Sequence, residues 1–403
     1  MKIGIIGGGA SGLFAAVHAA LTASQSNIAA EITVYEKNAA AGRKLLATGN
    51  GRCNFTNEDV TPSFYHGDEK LFEAVYPQFT NDDAVAFFRS IGLEPYTDNA
   101  GRVYPLSRRS ESVLSLLIFQ CGRLGVKFRF DYNVTSVKRE RCGFLLNGED
   151  HADRLVIAAG GAAAPQLGTD GSVFALLQTL GVRATDLYPA LTAIELMGFP
   201  KKLKGVRAFG TVEIVKDGKT LASDTGELQL TEYGVSGIPA MTVSEAAVRN
   251  PGATAILTFA PETPFREICD AAVRFRKDYP EASVSLFLTG FLPSKLAEYV
   301  ASAAGFDPAD AIGKMSPQAL RDLAGLVKGS RWRVRGVKGF SFAQVTAGGV
   351  GSDSVDPQTL CCKTVPGLFL CGEVLNVNGD CGGYNLQWAW SSGYVAGRNC
   401  VLN

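Results

Sequence analysis

The chain is poor in the residues that most hydrolytic and metal sites need. Only His18, His66 and His151 occur in 403 residues, so histidine triads and histidine-based metal clusters have little to be built from. The nine cysteines (Cys53, Cys121, Cys142, Cys269, Cys361, Cys362, Cys371, Cys381 and Cys400) are odd in number, scattered, and form no C-x-x-C pair. That pattern argues against a structural zinc and a disulfide framework, and it fits a reducing, cytoplasmic setting. No apolar run is long enough to cross a bilayer, so no membrane partner is expected. Charge bias is absent too: 39 lysines and arginines balance 39 aspartates and glutamates, leaving the whole molecule without a pull toward nucleic acid or an anionic surface. The opening MKIGIIGGGASG runs directly into a strand and a turn, with no charged and apolar leader ahead of it, which again points to the cytoplasm. Neither repeats nor low-complexity segments interrupt the sequence.

What is present is apolar mass and glycine. With 46% hydrophobic and 19% charged residues the chain can bury a large core, and its length suits two or three domains. Lys2–Ile6 reads as a short buried strand, and Gly7, Gly9 and Gly12 follow as G-x-G-x-x-G, with Ala10 and Ser11 inside the motif. The spacing of Leu13, Ala16, Val17, Ala20 and Leu21 predicts a helix, and EITVYE at 31–36 predicts a second parallel strand. Such glycines permit a tight turn and let the backbone approach a pyrophosphate, while the helix N-terminus offers unpaired N–H groups and partial positive charge. Glu36, 24 residues beyond Gly12, can accept hydrogen bonds from ribose hydroxyls and disfavours a ribose phosphate. Glycine turns alone are common in a chain with 45 glycines; strand, helix, strand and acid together make a dinucleotide site. The motif does not separate FAD from NAD.

FAD must also hold an isoalloxazine ring far from its adenosine end, so distant segments have to return to the first unit. Two candidates do. Residues 155–161 (LVIAAGG) form a strand closing on Ala159, Gly160 and Gly161, preceded by meander strands at 126–130 and 133–139. Residues 368–373 (LFLCGE) form another apolar strand ending in Gly372 and Glu373; a glycine-rich turn at 378–383 and a helix over 384–397 follow. The helix N-terminus would stabilise negative charge on the N1 and C2 carbonyl edge of a reduced flavin, and Glu373 can hydrogen-bond a ribityl or pyrophosphate group. A strand and helix that merely complete the sheet are compatible with the same residues.

Residues 42–57, GRKLLATGNGRCNFTN, are neither helix-like nor strand-like. Gly42, Gly49 and Gly51 allow close backbone approach, Arg43, Lys44 and Arg52 supply positive charge, and Asn50 and Asn54 both donate and accept hydrogen bonds. Loops this long in compact domains are often functional. Together with TEYGVSG at 231–237, TAGGV at 346–350, CGE at 371–373 and DCGGYNLQWAWSSG at 380–393, this segment makes nearly the whole chain resemble the bacterial BaiN-like, aminoacetone-oxidase-like FAD-dependent oxidoreductases. The GRKLLATGNGRCN and GGYNLQWAWSSG segments are the specific ones. The resemblance implies FAD, contacted at Gly7, Gly9, Ser11, Gly12, Glu36, Lys37, Lys44, Asn50, Arg52, Asn54, Gly372, Glu373, Gly383, Tyr384 and Asn385. Ala10, Arg43, Gly51, Cys53, Val134, Ala159, Gly160, Gly161 and Gly382 complete the expected cofactor-binding set. Members have been linked to reduction of conjugated steroid enones, oxidation of a small aminoketone, and reduction of a uridine in ribosomal RNA, so the resemblance implies the cofactor more narrowly than the substrate.

Between 187 and about 338 the dinucleotide pattern disappears. Residues 211–215, 227–230 and 255–259 look like strands, while 265–276, 292–304 and 317–326 carry helical spacing with Pro264, Pro293 and Pro317 near their starts. The expected fold is therefore α/β: a split, Rossmann-like FAD-binding domain (1–187 and 338–403) with an inserted β-rich, barrel-like unit (188–262) and a helical cap (263–337). An insertion of this kind suits a substrate pocket.

No catalytic residue stands out, and Cys53 and Tyr233 are weak candidates. Cys53 is either a thiol of shifted pKa or, more simply, a small residue packed beside the cofactor. Tyr233, with Ser236, is either a pocket residue or part of a glycine-shaped turn. The vicinal Cys361 and Cys362 read as packing. The run KGSRWRVRGVK at 328–338 would set Arg331, Arg333 and Arg335 on one face of a strand, where RNA phosphates, a phosphorylated substrate or water would meet them. Arg102, Arg108 and Arg109 would join that face only if the fold brings them near.

The expected reaction is hydride transfer at flavin N5 to an activated C=C bond of a small-molecule substrate. The alternatives are oxidation of a small amine with return of electrons to oxygen, and reduction of uridine in ribosomal RNA. Glycines at 348–351 lack the third glycine and the acid of a second dinucleotide motif. NAD(P)H, the candidate electron donor, would have to bind without a dedicated Rossmann unit, or electrons would come from substrate.

Overall fold

The β-branched runs KIGII and EITVY pair in parallel, with Ile3 opposite Ile32 and Ile5 opposite Val34. Around them the computed structural model, which describes residues 1–403, builds a five-stranded sheet in the order Leu368–Leu370, Arg154–Ile157, Lys2–Ile6, Glu31–Tyr35, Lys127–Arg129. Every pairing in it is parallel. Parallel neighbours need long crossovers, and the longest here leaves the sheet after Ile157 and re-enters it at Leu368. The chain divides into two compact units: residues 1–188 with 344–403, and residues 189–343.

In the first unit, the segment at 126–130 differs from its expected place. Lys127–Arg129 is an edge strand of the parallel sheet, opposite Thr33, Val34 and Tyr35, and not part of a meander. The antiparallel meander is made by Val137–Glu140, Gly143–Leu146 and Asp150–Ala152. Val126 is buried and Phe128 packs on the core. The expected strand at 133–139 is shortened at its start, because Asn147 accepts from the N–H groups of Thr135 and Ser136 and donates to Asn133 O.

Helix Ala10–Gln25 is buried over most of its length, and its Phe14 packs against Trp390 of the C-terminal helix Tyr384–Leu402. Gly12 sits where any Cβ would run into the carbonyl oxygen of Gly7, which is why the helix can start so close to the strand.

The second unit is a closed barrel. Its strands run Ile194–Leu196, Gly234–Ser236, Lys219–Leu230, Arg207–Lys216, Thr254–Phe259 and Ser330–Val337 around the ring. Helices Phe265–Asp278, Val284–Leu288, Ser294–Ala303 and Pro317–Gly329 share its apolar core. Ser316 caps the last of these through the N–H of Ala319. Ser330–Val337, at the end of the segment expected to be a helical cap, is the strand that closes the barrel. Its alternation is the reason: Ser330 and Val334 are buried while Arg331, Arg333 and Arg335 face solvent.

His18 lies among Phe14, Phe79, Phe87 and Tyr394 with no hydrogen-bond partner for its Nε2, and burial lowers its pKa from 6.5 to about 3. The unfolded imidazole takes up a proton near its ordinary pKa while the folded one refuses it. Stability present above pH 6.5 is therefore lost as the pH falls toward about 3. His18→Leu removes this dependence. Between about pH 7 and about pH 4.5, urea unfolding should show the wild type losing about 2–3 kcal/mol more than the variant; parallel profiles would contradict the assignment.

Candidate functional site

The site grows from the glycine turn after the first strand. Gly7 N–H donates to Tyr35 O at 2.8 Å and Gly8 N–H to Glu36 Oε2 at 2.8 Å, so the second strand and its terminal acid brace the turn. Helix Ala10–Gln25 then begins without a side-chain cap, leaving the N–H groups of its first turn to an external partner. Glu36, 7% exposed, also accepts from Asn38 N (2.9 Å) and Asn38 Nδ2 (2.6 Å). A carboxylate offers about four acceptor positions, so one remains for a hydroxyl donor.

Residues 42–57 wrap onto this turn, with Gly42 N–H donating to Gly8 O at 2.8 Å. The segment is more regular than expected: Arg43–Ala47 is one helical turn and Thr56–Asn57 a short strand. Between them Asn50 (φ 55°) and Cys53 (φ 56°) take left-handed backbone, which non-glycine residues rarely adopt. Cys53 is fully buried, and burial pushes its thiol up to about 12, so it stays protonated and acts as packing. Asn54 Oδ1 is buried without a partner and lies close to Gly383.

The returning segments converge on Glu373. Its Oε2 pairs with Lys44 Nζ at 2.7 Å, and its Oε1 accepts from Thr346 N (3.0 Å) and Thr346 Oγ1 (2.8 Å). Thr346 Oγ1 in turn accepts from the N–H groups of Ala162 (2.8 Å) and Ala163 (3.0 Å), and Lys44 Nζ donates to Ala163 O. Gly161 lies directly beneath Thr346 and Glu373, and Gly372 lies against the Ser11 side chain.

The C-terminal helix fastens these pieces. Trp388 Nε1 donates to Gly372 O (3.2 Å), Ser392 Oγ accepts from Gly372 N (2.9 Å), and Trp390 Nε1 donates to Phe55 O (2.8 Å). Thr56 Oγ1 bonds Gln387 Oε1 at 2.6 Å. The helix follows Gly383, whose φ of 101° and contact with Thr56 O admit no side chain, and it too starts without a side-chain cap. Tyr384 stacks on Phe64 with ring centroids 4.5 Å apart.

Among the residues singled out from sequence, the glycine turn with Ala10 and Ser11, Glu36, Lys44, Asn54, Gly161, Gly372, Glu373 and Gly383 are linked by these contacts. Ala159 and Gly160 lead from the strand Arg154–Ile157 into Gly161. Asn385 is committed elsewhere: its amide accepts from Gly379 N and donates to Gly379 O and Asp380 O, leaving its backbone N–H in the first helical turn. Lys37 pairs with Asp170, Arg43 donates to Asn38 Oδ1, Asn50 is exposed, and Val134 is half-buried against the core. Gly51 follows Asn50, and Arg52 lies over the ring of Tyr104. Gly382 O accepts from Asn57 Nδ2. Tyr233 belongs to the barrel unit, where Lys338 Nζ sits 3.9 Å from its ring centroid. Sequence reasoning passed over Thr346, Gln387 and Ser392. All three lie inside quoted motifs, TAGGV and GGYNLQWAWSSG, whose buried polar residues were the available signal.

The uncapped starts of two long helices, the unpartnered Asn54 oxygen and the open space around Gly9 fit an anionic dinucleotide with a polar ring edge. Residues 1–399 match the family described as HI0933-like protein Rossmann domain. The chain belongs to the HI0933-like family. It is 38% identical to a protein named 3-dehydro-bile acid delta(4,6)-reductase from Clostridium scindens, covering 98% of each chain. It is 28% identical to a protein named ribosomal RNA dihydrouridine synthase from Haemophilus influenzae, covering 99% of this chain and 97% of that one. The crystal structure of 3-ketosteroid delta1-dehydrogenase from Sterolibacterium denitrificans in complex with 1,4-androstadiene-3,17-dione aligns at a TM-score of 0.50 and 13% identity, over 99% of each chain, a likeness of fold. Membership bears out the resemblance read from the sequence: an α/β, FAD-dependent oxidoreductase. No helix of this HI0933-like chain is long and apolar enough to cross a membrane.

The Thr346 hydroxyl accepts two buried N–H groups and donates to Glu373. Thr346→Val should lower unfolding free energy by about 3 kcal/mol, while Thr346→Ser, which keeps the hydroxyl, should stay within about 1 kcal/mol of wild type. Equal stabilities for the two variants in urea unfolding would refute that role.

Proposed function

We propose that this HI0933-like chain reduces an activated C=C bond of a small, largely apolar substrate. The observation that carries this reading is the 38% identity over 98% of both chains to a protein named as a delta(4,6)-reductase. The ribosomal RNA dihydrouridine synthases stand at 28%. Both names describe saturation of a C=C bond.

In this reading the backbone N–H groups at Gly9, Ala10, Ser11 and Gly12 hold the pyrophosphate over the turn at Gly7, and Glu36 accepts from the adenosine ribose through its remaining lone pair. Glu373, oriented by Lys44 and Thr346, meets the ribityl region. Asn54 and the first turn of Tyr384–Leu402 meet the polar edge of the ring, where the helix N-terminus favours the negative charge that reduction brings. When bound, FAD supplies a two-electron carrier that gives hydride to one carbon of the activated C=C bond while a proton is added at the other. The chain's own contribution is to bind, orient and tune.

Anaerobically reduced enzyme mixed with a conjugated steroid enone should be reoxidised stoichiometrically with saturation of the enone. Reoxidation by air alone, with peroxide formed at the expense of a small amine, would instead establish an amine oxidase.

A second reading, an RNA-modifying flavoprotein, is favoured by one observation: Arg331, Arg333 and Arg335 stand exposed along one strand of the barrel. It requires salt-dependent binding to ribosomal RNA that weakens when the three charges are removed. Absence of binding at low salt eliminates it.

A further inference from the structure

A small antiparallel sheet in the first unit carries a row of cations that no carboxylate neutralises. Strands Pro95–Thr97 and Arg102–Pro105 set Tyr96 directly opposite Tyr104, and Thr56–Asn57 completes the sheet with Asn57 opposite Arg102. The Arg108 guanidinium lies 4.4 Å from the centroid of the Tyr96 ring, and that of Arg52 lies 5.7 Å from the centroid of Tyr104. Arg102 and Tyr104 share a face by strand alternation. Arg52, Arg108 and Arg109 are exposed, and none of the four arginines has an acidic group within ion-pair distance. Asp98, beside the row, accepts from the backbone N–H groups of Ala100 and Arg102. Glu94 lies just before Pro95–Thr97, and its backbone carbonyl accepts from Leu106 N–H.

Two further features lie on this face. Arg108 holds left-handed backbone at φ 54°, a strained position for a side chain, in a turn where its N–H bonds Pro105 O at 2.8 Å. Leu106 beside it is 62% exposed, an apolar surface next to stacked arginine and tyrosine. The row also starts at the redox site, since Asn57, opposite Arg102, donates to Gly382 O in the turn before the C-terminal helix.

We propose that Arg102, Arg108 and Arg109, with Tyr96 and Leu106, form the docking site of a nicotinamide dinucleotide. The arginines pair with its phosphates and the apolar and aromatic surfaces receive its base. The proposal rests on the reductase reading, which needs a reductant. The chain has a single dinucleotide turn, already assigned to FAD, so a second dinucleotide needs a different kind of surface. The strand Arg102–Pro105 at the centre of this face is roughly 13 Å long, a span that suits a dinucleotide. The reaction served moves one hydride from nicotinamide C4 to the flavin with one proton from buffer, and NAD(P)+ departs.

The test uses the full-length holoenzyme and the variants Arg108→Glu and Tyr96→Ala, neither of which is placed around FAD. Anaerobic stopped-flow reduction by NADH and by NADPH should show the apparent Kd rising about tenfold to a hundredfold in Arg108→Glu, less in Tyr96→Ala. The flavin spectrum and the rate of dithionite reduction should not change. Wild-type affinity should also fall as salt is raised. Unchanged Kd values in both variants, or a wild type that neither nucleotide reduces, overturn the docking site. So does loss of binding to a ribosomal RNA fragment in Arg108→Glu with NAD(P)H kinetics intact, which would assign the row to RNA. In each of those cases saturation of an enone by dithionite-reduced enzyme keeps the reductase reading standing, so the two failures are distinguishable.

Discussion

One buried hydroxyl sets where the chain's distant parts can lie. Thr346 Oγ1 accepts from two backbone N–H groups, of residues 162 and 163, and donates a hydrogen bond to Glu373, whose other oxygen is held by Lys44, 329 positions away in sequence. A buried donor or acceptor left without a partner costs about 1–3 kcal/mol, more if charged, so these segments meet in register or the site does not close. The result is a preorganised carboxylate beside the glycine turn. In the site, orientation comes from the chain and the redox chemistry from the cofactor.

The C-terminal helix makes that convergence rigid. Its buried Trp390 and Gln387 bond Phe55 and Thr56, remote in sequence, its Trp388 and Ser392 bond Gly372, and Trp390 and Phe14 join it to the helix of the glycine turn. The segment GGYNLQWAWSSG is thus specific for a physical reason: its polar side chains are fasteners and its aromatic ones are the core. The two helices also start without side-chain caps, which leaves their positive ends for an anionic ligand. This gives the glycine turn and the C-terminal turn the same electrostatic character, although they come from opposite ends of the chain.

Local patterns in the sequence exposed much of this. Lys2–Ile6, the helix from Ala10, EITVY, the strand before Gly372 and the helix from Tyr384 are all set by residue periodicity and glycine placement, which act over a few residues. What stayed hidden depended on partners far away. Lys127–Arg129 joins the parallel sheet because Thr33 to Tyr35 has a free edge, and Ser330–Val337 becomes a barrel strand because Thr254–Phe259 and Ile194–Leu196 need a closing neighbour. Asn385 looks like a ligand by its motif, yet its amide is consumed by Gly379 and Asp380. Thr346 carries no periodic signal at all, and the row of arginines over Tyr96 and Tyr104 exists only once two short strands pair.

The central claim is that the glycine turn, the segment at 42–57 and the C-terminal helix together hold FAD. The most direct measurement is the visible absorption of the purified, undenatured full chain, followed by identification of any nucleotide released on denaturation. The account predicts flavin bands and one FAD per chain, either as purified or after incubation with FAD. A colourless protein that takes up no flavin would contradict it.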